Sequence, residues 1–186
     1  MLTVNFAPFP VLETERLLLR CISIEDADAF FDLRSDQRIM KWLDREPFKS
    51  VEEARVFISE KILDSLYKNE GILWVIALKT DPENLIGTTG FWRIDKEHYR
   101  TEIGYVLGAA FWKKGITKEA VQKTVKWLFE NTAIHSIEAN INPENDPSAA
   151  LLKSVGFVQE AYFKENYYFN GVFKDSIIYS LVKGHQ

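Results

Sequence analysis

A single cysteine, Cys21, stands in 186 residues, so an internal disulfide is excluded. With it go the stapled secreted scaffolds that need several bridges. Cys21 lies in the apolar run 17–22, where a buried thiol is the ordinary reading and a nucleophile the rare one. Glycine and proline are sparse, nine and six, and no repeat, low-complexity stretch or linker divides the chain. One domain over residues 1–186 is therefore expected. No apolar run is long enough to cross a bilayer, so no membrane role is expected. The opening MLTVNFAPFPVLETERL has no basic stretch followed by a long apolar one. No signal peptide is expected, and the expected compartment is the cytoplasm. A basic excess is missing too: the net charge of −4 disfavours nucleic acid as a partner. His98, His135 and His185 stand apart, with no metal-ligand spacing and no paired nucleophile, so neither a metal nor a triad is expected.

What is present is an alternation of strand and helix patterns. Residues 16–22 (RLLLRCI) read as a strand. Ser23 with Asp26 starts a helix running to about Ser35, and a short helix is expected over 36–43. Ser50 with Glu53 is a capping box. The helix after it carries Val51, Ala54, Phe57, Ile58, Ile62 and Leu66 on one stripe and ends by Gly71. Strands are expected at 72–79, 85–94 and 101–107, then a helix over 115–131 with Val121, Val125 and Leu128 inward. A strand at 137–141, a helix at 147–155 and a hairpin of 157–169 with 172–183, turning at Asn170-Gly171, complete the chain. Hairpins alternate with helices, so the fold class is α/β with a mixed, mostly antiparallel sheet.

Chemistry concentrates in residues 101–157. A strand leads into a turn with Gly and Lys, then a long helix whose first N–H groups have no partner of their own. Such a helix start attracts anions, a pyrophosphate among them. Further on, NPENDPSAALLKSVGF places Ser148 on one helical face with Leu151, Leu152 and Val155. A hydroxyl on an apolar stripe either serves a local backbone group or faces a reacting atom. Glu102 sits mid-strand with the parity of Gly104 and Val106, where an exposed sheet face is the plainer explanation and a base the sharper one.

This order of parts resembles the GNAT acetyltransferase superfamily, and within it the Rim-type branch that acetylates ribosomal-protein N-termini. Rim-type loops read much like Trp-Gly-Lys-Gly-Tyr-Ala-Thr-Glu-Ala. Here Trp112, Lys114, Gly115, Glu119 and Ala120 keep that pattern, while Lys113 replaces a Gly and Thr117 a small residue. Leu12-Glu13-Thr14-Glu15-Arg16-Leu17, Leu85-Ile86-Gly87 and the closing Asn170-Gly171…Asp175-Ser176-Ile177-Ile178-Tyr179 extend the likeness over most of the chain.

The resemblance implies a sheet of about seven strands with about four helices, splayed between the fourth and fifth strands. It implies acetyl-CoA as cosubstrate, without a metal. Trp112, Lys113, Lys114, Gly115, Ile116 and Thr117 would hold its pyrophosphate. Tyr105, Val106 and Leu107 would pair with its extended arm and face the thioester oxygen, and Asn145 would bind the arm. It implies Ser148 as proton donor to the leaving thiolate and Glu102 as base, with Glu160 and Tyr162 in reserve.

The acceptor is expected to be an amine, probed first as a protein N-terminus. A small amine (polyamine, amino acid or antibiotic) and a CoA-binding module without turnover are the alternatives. Both monomer and homodimer stay open. Acceptor walls are expected from 36–48, the Ser50 helix and 162–169. Trp42, Phe48, Tyr167 and Tyr168 in these walls are more often packing than contacts.

Overall fold

The structure is a computed structural model that describes residues 2–184. His185 lies outside the described residues. Eight strands form one sheet: β1 (Leu12–Glu13), β2 (Leu17–Cys21), β3 (Ile72–Leu78), β4 (Gly87–Asp95), β5 (Arg100–Leu107), β6 (Ser136–Ile141), β7 (Val158–Phe169) and β8 (Val172–Val182). Their order is β1-β2-β3-β4-β5-β6-β8-β7. The additional strand relative to the seven expected is β1, two residues that oppose Leu19 and Leu18.

Every neighbouring pair is antiparallel except β5 with β6. That parallel pair is short. Arg100, Thr101 and Glu102 face Ser136, Ile137 and Glu138, and pairing then stops. Beyond it β5 stays with β4 through Leu107, while β6 stays with β8 through Ile141. Each strand follows its other neighbour, and the two part. This is the expected splay; β1 shifts it to the fifth and sixth strands.

Helices cover both faces. They are α1 (Ala27–Ser35), α2 (Gln37–Met40), α3 (Val51–Phe57), α4 (Asp64–Tyr67), α5 (Ile116–Asn131) and α6 (Asp146–Ser154). Strand β3 shows why two layers are needed. Its alternate residues Trp74 and Ile76 join the core under α5, with Val121, Val125 and Leu128. Val75 and Ala77 join the opposite core, with Phe30, Ala54 and Ile58. A strand buried on both faces reads as the unbroken apolar run ILWVIAL.

The helix expected after Ser50 is interrupted. A π-helical segment, Ile58–Leu63, separates α3 from α4. Its wider turn shifts the side chains that follow off the single stripe read from the sequence. Ser50 Oγ caps the helix at Glu53 N–H, 3.1 Å away, and the Glu53 carboxylate reaches back to Lys49 N–H at 2.7 Å. Asn170 and Gly171 both take positive φ, 49° and 80°, as a two-residue hairpin turn requires. No helix among the described residues is long and apolar enough to cross a membrane. No cluster of three or more His, Cys, Asp or Glu suited to a metal occurs among them.

Candidate active site

The site is built where β5 ends. After Leu107 the chain makes a 3-10 turn, Ala109–Phe111, and then enters α5 through Trp112, Lys113, Lys114 and Gly115. The Trp112 indole N–H donates to Leu107 O at 2.7 Å and closes the turn on itself. Lys113 has φ 61° and Gly115 φ 75°, so the left-handed bends fall at both positions. Gly115 adopts this conformation without strain, whereas Lys113 carries a Cβ there. Gly115 provides no side-chain cap, which leaves the N–H groups of the first turn of α5 open to a ligand.

The loop is clamped from a distant part of the chain. Arg16, just before β2, donates from Nη1 to Lys114 O at 2.9 Å and from Nε to Glu119 Oε2 at 2.7 Å. Thr14 Oγ1 donates to Glu119 Oε1 at 2.5 Å. Partial burial works to raise the Glu119 carboxyl. The hydrogen bonds from Thr14 and Arg16 outweigh it and hold the group below the usual carboxylate range.

The splay exposes the β5 edge beside this loop. Gly108 N–H bonds Ile86 O, on the β4 side. Strand alternation then turns the backbone groups of Tyr105 and Leu107 to the open edge and those of Val106 to β4. Leu107 O is the carbonyl that Trp112 uses. Of the three residues expected to pair with an extended ligand, Tyr105 and Leu107 are on the right edge and Val106 is turned away.

The Tyr105 side chain packs toward α5 and α6 and meets Ser148, with Oη and Oγ 2.7 Å apart. Burial pushes the Tyr105 phenol up to about 12, with the Ser148 hydrogen bond acting the other way, so it stays protonated. Ser148 is 8% exposed on α6, and its hydroxyl turns to Tyr105 rather than to a local carbonyl. Asn145 is the α6 N-cap: its Oδ1 accepts from Ser148 N–H at 3.2 Å. Its geometry is that of the plain capping role, and it fixes the backbone of Ser148.

Glu102 lies on the opposite face of β5. Its Oε2 accepts from Arg93 Nη1 at 2.7 Å, and its side chain is 15% exposed. Arg93 takes φ 51° where the β4–β5 register shifts, a bulge that lifts its side chain over Glu102. Cross-strand from Glu102 is Trp92, whose ring lies on Gly104 so closely that any Cβ there would overlap it. The reserve residues are otherwise engaged. Glu160 accepts from Ser180 Oγ at 2.8 Å, and Tyr162 donates to Asp175.

The expected acceptor walls are joined on this face. Asp44, between α2 and α3, accepts from Tyr167 of β7 and from Lys174 of β8, the latter at 2.6 Å. Phe30, Phe48 and Phe57 cluster with ring centroids 5.4–6.2 Å apart, so Phe48 is packing. Cys21 is half-buried and desolvation pushes its thiol up, which leaves it inert. Sequence reasoning missed Arg16, Arg93 and Asp44. Each acts through a partner far along the chain, and no local pattern marks them.

The sheet thus splays beside a helix start, with a buried hydroxyl pair on one face and a carboxylate on the other. The family described as the acetyltransferase (GNAT) domain matches residues 16–158, and the chain belongs to that family. The N-acetyltransferase p20 of Bacillus licheniformis is 38% identical over 172 residues, covering 92% of this chain and 96% of that protein. The Escherichia coli enzyme described as [ribosomal protein uS5]-alanine N-acetyltransferase is 25% identical, covering 91% and 89%. The solved structure of a GNAT-family acetyltransferase from Bacillus anthracis superposes with a TM-score of 0.81 at 28% identity, covering 93% and 98%. The protein is thus an N-acetyltransferase of the GNAT family.

Proposed function

We infer that the enzyme transfers the acetyl group of acetyl-CoA directly to a primary amine, with the α-amine of a protein N-terminus as the favoured acceptor. The Tyr105–Ser148 hydrogen bond beside the unpaired edge of β5 carries this reading. In the reacting complex the buried, protonated Tyr105 would donate to Ser148 Oγ, one of the two directions their 2.7 Å contact allows, and the Ser148 proton would go to the departing thiolate. Backbone N–H groups of the open edge lie where a thioester oxygen gains charge. The uncapped start of α5, with Lys113 and Lys114 beside it, suits the pyrophosphate. Glu102, on the other face, takes the proton lost by the amine. Nucleophile and leaving group thereby occupy opposite sides of the splayed strand, and no acyl-enzyme is required. A protein α-amine has a reference pKa near ~8 against ~10.4 for a lysine side chain, so one carboxylate suffices as base.

Likeness to the uS5-modifying enzyme of Escherichia coli supports the N-terminal acceptor. The test is acetyl transfer from acetyl-CoA to N-terminal peptides and to small amines, with the modified atom located by mass spectrometry. Transfer to the peptide α-amine supports the reading; transfer to small amines alone overturns the acceptor and keeps the chemistry. CoA binding without any transfer would leave a non-catalytic module.

A further inference from the structure

On the Glu102 face of the sheet there is a cavity of about 300 Å³ between the π-helical segment and the ends of β3 and β4. Its charged lining is of one sign: Arg34, Arg45, Lys61 and Arg93, with no carboxylate. Among the described residues only Arg93 of these four has an ion pair, the one to Glu102. Arg34 is the most telling. Its Nε is sealed from solvent without a hydrogen-bond partner, and the residue keeps access only in part. Its guanidinium lies over the Phe30 ring, 5.5 Å from the centroid. Burial, and then the neighbouring Arg45, push it down to about 9. A guanidinium does not release its proton at neutral pH even so. A cation drawn partly out of water without a counter-ion is a ready ligand for an anion from outside the fold.

The cavity adjoins the reacting groups. Trp92 lines it, covers Gly104 and pairs across the strands with Glu102; Arg93 lines it and holds Glu102. The π turn is what brings Lys61 and Ile62 to its wall. We propose that this cavity binds an anionic group of the amine acceptor, a carboxylate in the first instance, with Arg34 as its central ligand and Arg45, Lys61 and Arg93 around it. The acceptor class is then an α-amine bearing a nearby acid, such as an N-terminal glutamyl residue, and polyamines are excluded by like charge. An anion drawing on Arg93 also competes with Glu102 for that side chain, so acceptor binding would free the base. This deepens the acetyl-transfer reading and rests on it.

Two measurements separate the two ideas. The first is thermal melting with glutarate, in the presence of saturating CoA so that the pyrophosphate loop is filled. Glutarate should raise the wild-type melting temperature and leave Arg34→Met unmoved. The unliganded Arg34→Met variant should melt no lower than wild type, since an unpaired, partly desolvated charge is gone. Arg45→Met, at a more open position, should weaken the glutarate shift without loss of folding. No glutarate shift in wild type, or an equal shift in wild type and both variants, overturns the site. The second is the rate of CoA release with Glu-Ala against Gln-Ala dipeptide. The wild type should favour Glu-Ala in kcat/KM by roughly tenfold or more, the worth of a charge-assisted hydrogen bond, and Arg34→Met should lose that preference. Equal use of both dipeptides overturns the anion site and leaves acetyl transfer standing. A glutarate shift without transfer to any amine overturns the transferase reading and leaves the anion site standing.

Discussion

Ser148 can protonate a departing thiolate only where Tyr105 is the donor in the bond they share. Removing the hydroxyl by Ser148→Ala should lower kcat by about 10²-fold, the usual scale for a positioned proton donor, with little change in KM for acetyl-CoA. Equal losses in both would show a binding role instead. Tyr105→Phe should give a smaller loss of kcat by leaving Ser148 free to rotate. Glu102→Gln should move the rate profile toward alkaline pH, where the amine is neutral without help; an unmoved profile removes the base. Lys113 is a different kind of residue-scale case. Its left-handed φ costs a side-chain residue about 1 kcal/mol that glycine escapes, partly offset by the freedom of glycine in the unfolded chain. Lys113→Gly should therefore raise stability by about 0.5 kcal/mol in denaturant melts. A fall in acetyl-CoA affinity in the same variant would assign the Lys113 ammonium to the phosphates. Ser148 and Glu102 stand out as candidates because a hydroxyl on an apolar stripe and a carboxylate inside a strand break their local patterns, and the resemblance singled them out. Arg34 does not: at the end of α1 an arginine reads as a solvated helix terminus, and only the tertiary fold covers it.

Elements set these residues through contacts between distant segments. The loop leading into α5 depends on Glu119, which binds Thr14, Arg16 and, through Arg16, Lys114. Because the folded Glu119 carboxyl is held low, its stabilisation is fully present above the unfolded carboxylate pKa of ~4.3 and fades as pH falls through the folded value. Glu119→Gln should thus cost stability at pH 7 and much less at pH 3, in paired thermal melts; equal cost at both would mean that charge is not the cause. Asp44 likewise joins the α2–α3 connection to the terminal hairpin through Tyr167 and Lys174. Burial and then the Asp44 bond push the Tyr167 phenol up. Asp44→Ala should raise KM for the acceptor several-fold while KM for acetyl-CoA holds; the reverse pattern would place the hairpin on the cofactor side. Strands and helices with clear period were readable, down to the Asn170-Gly171 turn. The π segment was not, because a stripe at 51, 54, 57, 58, 62 and 66 looks α-helical, and only the tertiary fold, which buries Ile58 in the core, shows the wide turn.

Over the whole molecule, the two faces of the sheet divide the work. One face holds α5, α6 and the Tyr105–Ser148 pair; the other holds Glu102 and the cationic cavity. Between them β5 parts from β6 after Glu102. Hairpins alternating with helices carried the mixed, mostly antiparallel sheet, while the splay was legible only through the family resemblance. Neither carried the acceptor: a chain of net charge −4 still collects four cations around one cavity, and net charge says nothing of where they meet. In the proposed mechanism acetyl passes directly to an amine, with Ser148 and Glu102 acting from opposite faces. Its most direct test is CoA release from acetyl-CoA with an N-terminal peptide, followed over pH for wild type, Ser148→Ala, Glu102→Gln and the double variant. Acetyl should appear on the α-amine, either change should lower kcat, and an alkaline shift should follow only where Glu102 is replaced. Full activity in the double variant, or acetyl retained on the enzyme itself, would contradict it.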